Sequence, residues 1–111
     1  MIEDYDYVLS TDEEISNAYL DTEIINGKLL AVIINSNIDI DIRIVNLDND
    51  IFKMRVVGVK YVPINIVSED GFNNAMTYNC EKYYLNNRLK LIIENNFKAE
   101  VLITLRVDTN A

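Results

Sequence analysis

The chain has 111 residues, half hydrophobic and a quarter charged, the balance of one globular domain rather than a disordered segment, and too short for a catalytic domain plus a lid. With no histidine and one cysteine, it lacks the commonest general base and zinc ligand and can form neither a Ser-His-Asp triad nor an internal disulfide. The net charge of −8 is divided unevenly: residues 1–50 hold twelve Asp and Glu against Lys28 and Arg43, and residues 51–111 hold six against eight Lys and Arg.

The opening Met1-Ile2-Glu3-Asp4-Tyr5-Asp6 is acidic where an export signal would be basic and then apolar. Strand character begins at Asp6 to Leu9. Ser10-Thr11-Asp12-Glu13-Glu14, ahead of Ile15, Ala18 and Tyr19, reads as a capping box and competes as a short helix. The next segment runs from Ile15 to Ile25 with a break near Asp21. Asn26-Gly27 then predicts a two-residue type I′ hairpin into Lys28 to Asn35, because both residues tolerate positive φ. Leu29 to Ile34 is the longest apolar run, too short to cross a bilayer; it suits a central strand covered on both faces or a strand buried at a subunit contact.

After the Ser36-Asn37 turn, residues 38–44 alternate Ile38, Ile40, Ile42 and Ile44 with Asp39, Asp41 and Arg43. A period of two places the isoleucines on one side of a pleated ribbon and the charges on the other, which a helix cannot do. The strand is expected over Asp39 to Leu47, its charged face discouraging edge-to-edge pairing. Asp48-Asn49-Asp50 is an Asx-rich turn without the spacing, glycine or terminal glutamate of an EF-hand. Ile51 to Val59 and Tyr61 to Val67 follow. Pro63 places the second at an edge or at a strand start, and the grouping of Lys53, Arg55 and Lys60 is too sparse for nucleic-acid binding. Ser68-Glu69-Asp70-Gly71 is a wider loop. Met76 to Tyr84 contains Cys80, a structural thiol with no histidine to activate it, and Tyr83-Tyr84, of which one ring should enter the core and one face out. Lys90 to Glu94 and Glu100 to Asp108 close the chain, with Val101, Ile103, Leu105 and Val107 on one face.

These segments, spaced by Asn, Asp, Gly and Ser, predict one all-β domain over residues 1–111, a single antiparallel β-sandwich, jelly-roll-like, of about seven to nine strands. Carboxylate pairs such as Asp39/Asp41, Asp48/Asp50 and Glu13/Glu14 are plentiful, but no aromatic cleft singles one out as a hydrolytic pair. The isolated Gly27, Gly58 and Gly71 build no phosphate loop. No catalytic, cofactor-binding or metal residues are expected. Tyr61, Tyr83 and Tyr84 are the candidate protein interface, with core or edge packing as the plainer assignment.

One order of features goes further: Gly27-Lys28-Leu29-Leu30-Ala31-Val32-Ile33-Ile34, then Asp39 to Ile44, Tyr61-Val62-Pro63, Asp70-Gly71, Tyr83-Tyr84, Arg88-Leu89-Lys90-Leu91-Ile92-Ile93 and Ala99 to Val107. Over residues 15–107 it resembles small virion proteins of tailed bacteriophages, although Val62 separates the Tyr and Pro that adjoin in that group. The resemblance implies a non-enzymatic auxiliary, decoration or connector protein, usually a homo-oligomer, that binds virion proteins such as the major capsid protein. It would be made in the bacterial host cytoplasm and reside in the virion, with no cofactor, nucleic acid or membrane partner. The alternative class is a β-sandwich module that binds carbohydrate or protein, including a neck, tail or fibre-attachment component, with Tyr61, Tyr83 or Tyr84 as its platform.

Overall fold

The structure is a computed structural model that describes residues 1–10, 18–36, 38–56, 75–94 and 100–110, except for the side chains of 75–77 and 79–82. These residues form six strands: β1 (Ile2–Ser10), β2 (Ala18–Asn35), β3 (Ile40–Asn46), β4 (Asn49–Val56), β5 (Ala75–Ile93) and β6 (Glu100–Asp108). They lie in one antiparallel sheet of order β1-β6-β2-β5-β3-β4. The all-β class expected from the alternating pattern is what the described residues adopt.

The difference between six strands and the nine segments read from the sequence has a definite source. Ile15 to Ile25 and Lys28 to Asn35 merge into β2, Met76 to Tyr84 and Lys90 to Glu94 merge into β5, and Tyr61 to Val67 lies outside the described residues. The capping box at Ser10 to Glu14 falls on β1 and on residues outside the described set. The expected hairpin at Asn26-Gly27 is corrected: β2 passes straight through it, with Asn26 opposite Asn86 and Gly27 opposite Leu85. Glycine is needed here for another reason. Gly27 has φ +140°, and a Cβ there would stand 2.5 Å from the Asp108 carbonyl oxygen, where β6 terminates against β2.

β2 and β5 make a long ribbon of 18 and 19 residues, and the other strands attach at opposite ends of it. β6 flanks only Lys28–Asn35 of β2 and carries β1 outside it. β3 flanks only Leu89–Ile93 of β5 and carries β4. Register shifts between Asp21 and Ile24 and between Leu29 and Ala31 interrupt the ribbon; such bulges bend a strand and increase its twist.

A single hydrophobic cluster unites the two ends. Leu9, Val32, Ile34, Val101, Ile103, Leu105 and Val107 come from one, and Ile40, Ile42, Ile44, Phe52, Leu89, Leu91 and Ile93 from the other. Phe52 and Tyr78 meet edge-on at 5.5 Å between ring centroids, although in the ladders Phe52 lies opposite Ile44 and Tyr78 opposite Val32. The isoleucine face of residues 38–44 is core as expected, Ile40 and Ile44 being fully buried. Its charged face lies on an interior strand rather than at an edge, because β4 covers β3. The apolar run of β2 is also core: Val32 and Ile34 are buried on one side, Ala31 and Ile33 on the other. The chain itself therefore covers both faces there.

Candidate interaction surfaces

The register offsets part of the electrical lopsidedness of the sequence. Antiparallel pairing sets single arginines of later strands beside early carboxylates: Asp4 receives the Arg106 guanidinium at 2.9 Å, and Asp41 receives Arg55 at 3.2 Å. Within β3 and β4, Arg43 reaches Asp50 at 2.8 Å, and Glu94 beyond β5 lies 3.7 Å from the same guanidinium. The carboxylates that were abundant in the sequence thus serve as ion-pair partners on the sheet surface. Asp50 of the Asx-rich turn is one of them, and the turn itself is Leu47-Asp48, with Leu47 in the left-handed region at φ 57°. Glu13 and Glu14 lie outside the described residues. Among the described residues no group of three or more acidic or cysteine side chains is placed to hold a metal ion.

The adjacent tyrosines occupy β5 opposite the end of the apolar run, Tyr83 across from Leu29 and Tyr84 across from Lys28. The expectation that one ring enters the core is corrected, since Tyr83 is 37% and Tyr84 67% exposed. Strict alternation fails because the Leu29/Ala31 register shift skips from Tyr83 to Asn79 on the β5 side. The Lys28 ammonium lies 5.9 Å from the Tyr84 ring centroid, a cation–π contact. Tyr61 lies outside the described residues. Cys80 falls on β5 where side chains are not described.

A second surface went unrecognised in the sequence. On the outward side of β2, β5 and β3, a shallow groove of about 370 Å³ is lined by Asp21, Ile24, Val45, Leu47, Arg88 and Lys90. Cross-strand pairing explains its membership: Ile24 lies opposite Arg88, Asp21 opposite Lys90, and Val45 opposite Lys90 on the other side. Among the described residues neither cation forms a salt bridge, although Asp21 lies across from Lys90. Arg88 donates to the Thr22 carbonyl oxygen at 3.3 Å, and the Lys90 ammonium sits 5.2 Å from the Tyr19 ring centroid. Apolar side chains surround them, with Tyr19, Ile24 and Leu47 each more than half exposed. The sequence carries one half of this signal, since Arg88-Leu89-Lys90 puts both cations on one strand face. The other half requires the register. A hollow of about 520 Å³ beside β3 and β4 is lined by Asp41, Lys53, Met54, Arg55 and Glu94, but its Asp41, Arg55 and Glu94 are already in ion pairs.

Tyr7 of β1 donates its hydroxyl to Glu23 of β2, although no ladder joins those strands. Burial, followed by the hydrogen bond and charge of Glu23, holds the Tyr7 phenol well above its ordinary pKa of 10.0. No protein-family model, curated protein or solved structure matches the chain.

Proposed function

We propose that this chain is a non-enzymatic structural protein, an auxiliary or decoration component of a tailed-phage particle that docks on the major capsid protein and works as a homo-oligomer. The observation that carries the proposal is the placement of Tyr83 and Tyr84, two exposed aromatic rings on an interior strand of the sheet. Rigid, partly apolar anchors of this kind suit protein contact more than chemistry. In this proposal the sheet folds over into a jelly-roll-like sandwich of two four-strand layers, β2 and β5 crossing from one to the other at their bulges. Support comes from the Phe52–Tyr78 and Tyr7–Glu23 contacts, the shared core and a thinnest dimension of 19 Å, which suits two layers roughly 10 Å apart.

The test is the copy number of the chain on purified phage particles, read by quantitative mass spectrometry. A fixed ratio to the major capsid protein, lowered by Tyr84→Ala without a change in thermal stability, supports the proposal; absence from the particles overturns it. The groove at Arg88 and Lys90 favours a second reading, a binding module for carbohydrate or protein. A glycan array that gives a signal lost in Lys90→Glu would select the carbohydrate form.

A further inference from the structure

The groove on β2, β5 and β3 has a counterpart on the same chain. Along β1 the outward residues are Ile2, Asp4, Asp6 and Val8, opposite to Tyr5, Tyr7 and Leu9, which pack on the core side. Ile2 is 62% and Val8 47% exposed, so two apolar side chains bracket two carboxylates at strand spacing. Asp4 is matched by Arg106, whereas Asp6 is held by a neutral donor, the Thr104 hydroxyl at 2.5 Å. In the groove the balance is inverted: Arg88 and Lys90, also two residues apart on one strand, line it with exposed Ile24 and Leu47 and with Asp21, and exposed Tyr19 lies beneath Lys90.

We propose that the outward face of β1 in one copy, carrying Ile2, Asp6 and Val8, docks on the Arg88–Lys90 groove of a second copy. Like spacing favours this occupant: residues two apart on a strand repeat at about 6.6 to 6.8 Å, so carboxylates and cations can meet while the flanking apolar groups are buried. Charge sign favours it as well. In a chain of net charge −8, Arg88 and Lys90 leave the groove net cationic, its lining carboxylate being Asp21 opposite Lys90, and among the described residues no salt bridge joins either cation to a carboxylate, whereas Arg43, Arg55 and Arg106 are each paired. The interface uses two different patches, so it is heterologous and propagates head to tail, closing into a ring if the rotation permits. The inference deepens the homo-oligomer in the proposed function and rests on that reading for its setting.

The test mixes two variants of the full chain. The wild type should show a mass rising above 12.8 kDa with concentration in light scattering. Lys90→Glu and Val8→Glu, the second at an exposed position of the β1 face, should each need at least tenfold higher concentration to associate, and because both altered patches are acidic they repel each other. Mixed in equal amounts they should form a 1:1 dimer and stop there, because each variant retains one intact patch. Circular dichroism melts identical to wild type establish that both variants are folded, and Arg88→Gln serves as the replacement should Lys90→Glu fail to fold. A wild type that stays monomeric at every concentration, a Lys90→Glu protein that associates like wild type, or a mixture without the dimer each overturns the inference. These failures are distinct from those of the particle proposal: correct mixing behaviour with no chain on particles would remove the particle reading and keep the interface. Association unaffected by either substitution, with the chain present on particles, would do the reverse.

Discussion

The two halves of β2 live in different environments although they are one strand. From Lys28 to Asn35 the strand lies between β5 and β6, and Val32, Ile33 and Ile34 are all buried. From Ala18 to Gly27 it pairs with β5 alone among the described residues, and Tyr19, Asp21, Glu23 and Ile24 are exposed. The difference shows what sets composition along a strand. Where neighbours stand on both sides and both faces are covered, the sequence is continuously apolar. Where β5 is the only neighbour among the described residues, polar and apolar residues mix; Tyr7 of β1 holds Glu23, and the Thr22 hydroxyl, accepting the Leu89 N–H at 2.9 Å, bridges the register shift to β5.

The largest expected contrast follows directly. Ile34→Ala should cost about 2 to 5 kcal/mol, a transfer term plus a cavity, while Ile24→Ala in the same strand should stay within about 0.5 kcal/mol. Urea unfolding curves of the two variants measure this, and equal midpoints would abolish the distinction between the halves. Between them, Gly27→Ala tests the boundary. The new methyl would meet the Asp108 carbonyl at 2.5 Å and Val107 Cγ1 at 2.7 Å, in a backbone conformation that L residues seldom adopt. A loss of more than about 1 kcal/mol is expected. A smaller loss would mean that the end of β6 yields.

The smallest effect concerns the tie that secures the freer half. Because the folded state raises the Tyr7 pKa above the ordinary 10.0, folding favours the neutral phenol. The stabilisation is whole below about pH 10 and declines as pH rises toward the folded pKa. Stability measured by urea unfolding should therefore fall more steeply above pH 10 in the wild type than in Tyr7→Phe. Identical slopes would show that the phenol is not held by this environment.

Elements whose signal is local were legible in the sequence. Residues 38–44 and 101–107 alternate cleanly, and each took the face assigned to it. What misled was decided by distant residues. Asn26-Gly27 is a good hairpin pair on its own, but pairing with Asn86 and Leu85 and the close approach of Asp108 keep the chain extended there. Tyr83-Tyr84 obey alternation only where the ladder is regular, and a register shift lies beside them. Tyr19 read as part of a helix face because Ile15 and Ala18 precede it at helical spacing. Its real role, an exposed ring beneath Lys90, needed the knowledge that Asp21 lies opposite Lys90. Of the candidate interface, the sequence identified residue types well and neighbourhoods poorly, since neighbours here are seldom close along the chain.

That last property bears on time. The Thr109 amide donates to the Met1 carbonyl at 2.8 Å, and Ile2 pairs with Asp108, so β1 finds its neighbour only when nearly the whole chain is available. Most contacts in the sheet join residues far apart in sequence, and loop-closure entropy is met before such contacts stabilise anything. Folding is therefore expected on the millisecond-to-second scale of non-local β topologies. Until β6 joins it, β1 is an unpaired edge, and a strand carrying Glu3, Asp4 and Asp6 resists pairing with another copy through like-charge repulsion.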